Sequence, residues 1–239
     1  MGAVKTAIGD AVITFLWVFC SSTLGALTSV VASALDIHGQ GPTLAITVLI
    51  LTFLLLIFTA LGEMLGGATF NPTGSASFYA AGVGGDTLSS LALRLPAQTA
   101  GAVAGAAAIM EYMPLQYKHM LGGPALKVDL QTGAIAEGVL TFLMTFLVLY
   151  IILRGPKNTL LQIFLLAIST MTLVITGSTY TGPSMNPANA FGWAYVYNRH
   201  NTWEQFYVYW ICPFVGAILA AWVFRYLCPP PAIGKQKKA

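Results

Sequence analysis

Six long apolar runs dominate this chain: roughly Thr6–Leu35, Pro42–Leu61, Leu91–Tyr112, Thr132–Leu153, Thr159–Gly177 and Tyr207–Leu227. Each is near the roughly 20 residues that an α-helix needs to cross ~30 Å of hydrocarbon. The runs are continuously apolar, not alternating. That selects helices over a membrane barrel, because in lipid a helix pairs every backbone amide within its own segment. Charge agrees with this: only 8% of the 239 residues are charged and 56% are hydrophobic, against about 25% charge in a soluble domain. An ordinary cytosolic enzyme, a nucleic-acid-binding protein and a disordered chain are thereby excluded. The expected fold class is an all-α membrane protein with six transmembrane helices. The first run is longer than a bilayer requires, so it is expected to tilt or to extend past the bilayer.

An even number of crossings puts both termini on one side. That side holds Lys5, Arg94, Arg154, Lys157, Arg225, Lys235, Lys237 and Lys238, and the other holds only Lys118, Lys127 and Arg199. The basic excess predicts cytoplasmic termini. Cys20, Cys212 and Cys228 show no metal or redox spacing, which points to inert buried thiols and to no metal or cofactor. His38, His119 and His200 fall in expected loops. Trp193, Tyr195, Tyr197, Trp203, Tyr207, Tyr209 and Trp210 crowd one region and read as an interfacial aromatic belt.

The chain repeats itself. Ala7–Phe19 and Ala134–Phe146 agree at seven of thirteen positions, and Asp10 aligns with Glu137. Phe70-Asn71-Pro72-Thr73 matches Met185-Asn186-Pro187-Ala188, and Gln98-x-x-Gly101-Ala102 matches Pro213-x-x-Gly216-Ala217, both at a spacing of 115 residues. Three crossings per half invert the second half relative to the first, about an axis in the membrane plane. One domain over 1–239 is expected, with halves of about 1–120 and 128–228 and a basic tail at 229–239.

Each Asn-Pro lies in a connection too apolar to be a plain solvated loop. About ten helical residues follow it, enough for ~15 Å, or half the hydrocarbon. Asn is a favoured helix cap and Pro a favoured first helical residue. Two half-helices entering from opposite faces would meet at the midplane with their positive ends opposed. A water there accepts from both Asn amides and turns its own hydrogens away, which interrupts a proton wire, while the positive ends repel cations.

With these features in hand, the chain resembles the aquaporins of the major intrinsic protein family over essentially its whole length. The resemblance is carried by Asp10 and Glu137, by Gly67-Ala68-x-x-Asn71-Pro72 and Gly182-x-x-x-Asn186-Pro187-Ala188, and by Gln98-x-x-Gly101-Ala102-x-x-Gly105-Ala106 and Trp210-x-x-Pro213-x-x-Gly216-Ala217. Small residues four apart also let helix backbones approach closely. The intramembrane acids Asp10 and Glu137 are expected to brace the loops that carry the half-helices.

Thr73 replaces the alanine usual in the family's first box, and Asn189 stands where most members carry arginine. These departures and the lysine-rich end resemble the plant small basic intrinsic proteins, a subfamily associated with the endoplasmic reticulum. The family's selectivity constriction transfers to Ile50 or Leu51, Val174, Pro183 and Asn189. That ring lacks an aromatic residue, histidine and fixed cation. Lys235 and Lys237 resemble a cytoplasmic di-lysine retrieval signal. The resemblance therefore implies a passive channel for water, with another small neutral solute as further cargo, assembled as a homotetramer in the lipid bilayer without nucleic acid. Rival readings are an alternating-access solute transporter and a non-conducting membrane protein on the same fold.

Overall fold

The computed structural model describes residues 2–229, so Lys235 and Lys237 lie outside the described residues. Besides one 3-10 helix at Leu115–Met120, nine helical stretches follow in order among them: α1 Ala3–Ser21, α2 Leu24–Ala34, α3 Gln40–Met64, α4 Pro72–Ala80, α5 Leu88–Tyr112, α6 Leu130–Arg154, α7 Thr159–Gly177, α8 Pro187–Val196 and α9 Trp203–Leu227. Helices α1, α3, α6, α7 and α9 are each long and apolar enough to cross a bilayer. Helix α5 has the same 25 residues as α3. Its glycines and alanines, with Arg94 and Gln98, make it less apolar, and it crosses under the shelter of α1. The fold is thus six membrane-crossing helices plus two half-length ones, α4 and α8.

The over-long first run does not extend as one tilted helix; it breaks at Ser22–Thr23 into α1 and α2. The Ser22 hydroxyl donates to the Val18 carbonyl at 2.5 Å and the Thr23 hydroxyl to the Cys20 carbonyl at 2.7 Å. The Thr23 amide falls back to the same Cys20 carbonyl, three residues away instead of four. Hydroxyls that compete for helix carbonyls bend the ladder in this way.

The two halves cross through their small residues. A Cβ added at Gly101 would strike the Ala11 carbonyl oxygen, and one at Gly216 would strike that of Gly138, so α1 meets α5 as α6 meets α9. Each half-helix then leans on the other half, α4 on α9 and α8 on α5. At the α8–α5 contact a Cβ on Gly192 would lie 2.6 Å from the Ala102 carbonyl oxygen. Interlocking of this kind fixes α4 against α9 and α8 against α5.

Within α9, Tyr207–Ile211 form a π turn just before Cys212-Pro213. Pro213 has no N–H, and its ring presses on the carbonyl four residues back. One widened turn absorbs both effects.

Three expectations change on folding. Arg94 is not a flanking charge: it is 5% exposed inside α5, which leaves seven basic residues against three in the count across the membrane. Trp193 and Tyr209 leave the aromatic belt, at 3% and 2% exposure. Trp193 packs with Ala102, Ala106 and Ile109, and the Tyr209 hydroxyl donates to the Thr181 carbonyl at 3.2 Å. Trp203, by contrast, stays exposed.

Candidate pore and its two capped half-helices

Helices α4 and α8 begin alike. Asn71 and Asn186 have extended backbones, and the first helical residues are Pro72 and Pro187. Asn71 Oδ1 accepts from the Thr73 amide at 3.0 Å; Asn186 Oδ1 accepts from the Ala188 and Asn189 amides at 3.1 and 3.3 Å. Helical residues 9 and 10 in number give rods of about 14 and 15 Å.

The two caps are tied to each other crosswise. Asn71 Nδ2 donates to the Met185 carbonyl at 3.0 Å, and Asn186 Nδ2 donates to the Phe70 carbonyl at 2.9 Å. Phe70 and Met185 are repeat counterparts, so the pair of bonds is two-fold. An amide nitrogen carries two hydrogens, so each Asn keeps one for another acceptor. Met185 reaches its place through a left-handed backbone, φ +50°, at a cost of roughly 1–2 kcal/mol.

Symmetry ends at Thr73. Its hydroxyl, 2% exposed, lies 2.8 Å from Asn71 Oδ1 and 3.1 Å from the Met185 carbonyl. Ala188, its counterpart, has no hydroxyl to send to Phe70.

Both intramembrane acids are fully buried and hold the loops ahead of the caps. Asp10 Oδ1 accepts from the Thr69 amide at 2.8 Å. Glu137 Oε1 accepts from the Ser184 amide at 2.9 Å and the Thr181 hydroxyl at 3.0 Å, and Oε2 from the Met185 amide at 3.2 Å. Thr69 and Ser184 are again counterparts. The partners differ: Asp10 carries a bidentate ion pair with Arg94, at 2.7 and 2.9 Å, whereas the side chains on Glu137 are neutral. Gln98 Nε2 also reaches Asp10, Thr69 and Ser75, at 3.0, 2.9 and 3.1 Å.

The four positions expected to form a constriction sit as follows. Pro183 is buried beside Gly177. Val174 packs on the cluster of Leu140, Leu173 and Met185. Asn189 Nδ2 turns back to the Ser184 hydroxyl at 3.3 Å. Leu51 is 3% exposed, while Ile50 is half-buried. Val174 and Pro183 are thus brought to one wall with Leu140, and Asn189 joins the loop ahead of its own helix. In the first half Trp17 stacks on Phe70 at 4.2 Å between ring centres, with Phe58 edge-on to both.

Sequence reading missed Arg94, Asp86, Thr69, Ser75, Ser184 and Thr181 as parts of this site. A usable signal existed for Arg94 alone. It lies inside an apolar run, where a cation needs an acid, and Asp10 is the acid in the opening run of the same half.

Similarity to known proteins agrees with the geometry. The sequence pattern of the family described as Major intrinsic protein matches residues 1–224. Aquaporin SIP1-1 of Oryza sativa subsp. japonica is 64% identical over 244 residues, spanning 100% of this chain and 99% of that protein. Aquaporin SIP1-2 of Zea mays is 63% identical over 239 residues, spanning 99% and 98%. The X-ray structure of the aquaglyceroporin from Plasmodium falciparum shares the fold, with a TM-score of 0.71 at 16% identity over 95% of this chain and 98% of that one. The match over nearly all of the chain, met by two crosswise-tied Asn-Pro half-helices, means that this chain belongs to the major intrinsic protein family and is a membrane channel, not an enzyme.

Proposed function

We infer that the protein conducts water passively between the two capped half-helices, with another small neutral solute as further cargo. The crosswise bond pair of Asn71 and Asn186 carries this reading. Each amide spends one hydrogen on the opposite loop and keeps one for a passing water, while both helix N-termini add positive potential. A water that accepts from both caps cannot pass a proton along the file. Ile50 or Leu51, Val174, Pro183 and Asn189 form the selectivity constriction. With no fixed cation and little hydrogen bonding from side chains, that ring filters by size more than by polarity. Asp10 and Glu137 act as braces.

The same reading assigns a homotetramer in the bilayer, a single channel domain over 1–239, both termini in the cytoplasm and residence in the endoplasmic reticulum. Relatives named aquaporins support water as cargo. Purified protein in liposomes is expected to speed osmotic shrinkage with a low activation energy while a proton gradient holds. Shrinkage no faster than in empty liposomes, with folded protein confirmed, would remove the reading. Residence has its own test: tagged protein with Lys235 and Lys237 both changed to serine is expected to reach later compartments. An unaltered distribution would count against retrieval by that tail.

A further inference from the structure

Arg94 touches more of the first half-helix's surroundings than a brace for Asp10 needs. Its Nε and Nη2 grip Asp10 on α1. Nη2 also reaches the Gly67 carbonyl at 3.0 Å and the Thr69 hydroxyl at 3.1 Å, both in the loop that enters α4. Nη1 reaches Asp86 Oδ2 at 2.6 Å, in the loop that leaves α4. Asp86 is held in turn by the Ser90 hydroxyl at 2.8 Å, part of the Thr87–Ser90 box that caps α5. One planar guanidinium therefore bonds the loops before and after the same half-helix and the helix beside it. Only a fork of fixed donors can do this; a lysine ammonium is a single point.

Among the described residues the second half shows no such clamp. The repeat spacing of 115 puts Tyr209 opposite Arg94, Pro213 opposite Gln98 and Ala190 opposite Ser75. There Ala190, Ala134, Val208 and Tyr209 form an apolar cluster, and the Tyr209 hydroxyl makes one bond, to Thr181. Both half-helices are packed on the other half and have a buried acid on the entry loop; α4 alone has, in addition, a cation that bonds the loops on both sides of it.

We propose that Arg94 is a positioning residue for the pore. By bonding the entry loop at Gly67 and Thr69 and the exit loop at Asp86 together, it holds α4, and with it the Asn71 cap, in register with Asn186. The proposal rests on conduction past Asn71 and Asn186.

The test uses reconstituted full-length protein, the parent beside Arg94→Lys, Asp86→Asn and the double variant. Asp86 keeps a quarter of its side chain exposed, so Asp86→Asn leaves the fold intact. Hydrogen exchange is read by mass spectrometry over residues 73–81 and 188–197, and water and proton fluxes are measured in the same liposomes. Asp86→Asn is expected to exchange about tenfold faster over 73–81, the loss of one charge-assisted hydrogen bond, and Arg94→Lys, which gives up the whole fork, at least as fast, with 188–197 unchanged in both. The ratio of proton to water permeability should rise in step. The double variant should be no worse than Arg94→Lys alone, since the link from residue 94 to Asp86 is already broken there. Unchanged exchange over 73–81, or equal acceleration in both half-helices, overturns the proposal; the second outcome would make Arg94 a brace of the whole fold. A parent that conducts no water while 73–81 loosens selectively supports the clamp and overturns the channel reading instead.

Discussion

Asn71 and Asn186 exchange donors across the repeat axis: each side-chain amide bonds the carbonyl one residue before the other asparagine, at 3.0 and 2.9 Å. Each is at once the cap of its own helix and the tether of the other. The two functions use different atoms, Oδ1 for the cap and Nδ2 for the tether, so a substitution can remove one and spare the other.

Asn71→Asp makes that separation. It keeps an acceptor for the Thr73 amide but sets a carboxylate oxygen against the Met185 carbonyl. A half-buried carboxylate set against a carbonyl, with one bond lost, is expected to cost about 1–3 kcal/mol. The negative charge should also admit cations. Thermal unfolding in detergent and cation flux in liposomes check both parts.

Thr73 carries a milder prediction. Thr73→Ala restores the symmetry of the two boxes and removes one hydroxyl bond to Met185, for an expected loss of about 1 kcal/mol. Water conduction should persist, because the Asn71 tether remains. Thr73→Ser should match the parent. A loss of conduction in Thr73→Ala with folded protein would show that the hydroxyl does more than tie the loops.

The two buried acids should respond unequally to neutralisation. Asp10→Asn removes one of the two carboxylates on the buried Arg94 guanidinium and leaves it Asp86 alone, a broken buried pair that costs up to about 3–5 kcal/mol. Glu137→Gln strands no cation and turns one acceptor into a donor, for about 1–3 kcal/mol. Unfolding midpoints of the two variants, compared with Asp10→Asn/Arg94→Gln, decide it. The double variant should recover part of the Asp10→Asn loss.

Mercurials are expected to leave most of the water flux intact, since Pro183, which we propose for the constriction, is no thiol. Cys212 sits where α9 crosses Gly138, and Cys228 follows the end of α9. Cys20 packs in the cluster that holds Phe58 and Phe70. Residual slowing should therefore vanish in Cys20→Ser. Strong block that survives Cys20→Ser and is lost in Cys212→Ser would contradict this placement.

Much of this protein was legible in one dimension because lipid allows few solutions. Backbone pairing demands helices, and run length sets their number. Asn-Pro is a start signal read locally, since a cap and a ring without N–H suit only the first turn. Repetition then paired Asp10 with Glu137 and Asn71 with Asn186 without coordinates.

What the sequence by itself determined is therefore the class of fold, the inverted repeat, the two half-helices and the small residues at which helices cross. Tertiary structure alone decided which donors meet which acceptors. The bond from Asn71 to Met185 spans 114 residues and that from Arg94 to Asp10 spans 84, and no local pattern encodes such partners. It also decided that Arg94 is buried rather than flanking, and that α1 ends at Ser21. In each case the reason is the same. Periodicity and propensity report what a segment does alone, whereas a buried polar group takes whatever partner the packed backbones bring within 3 Å.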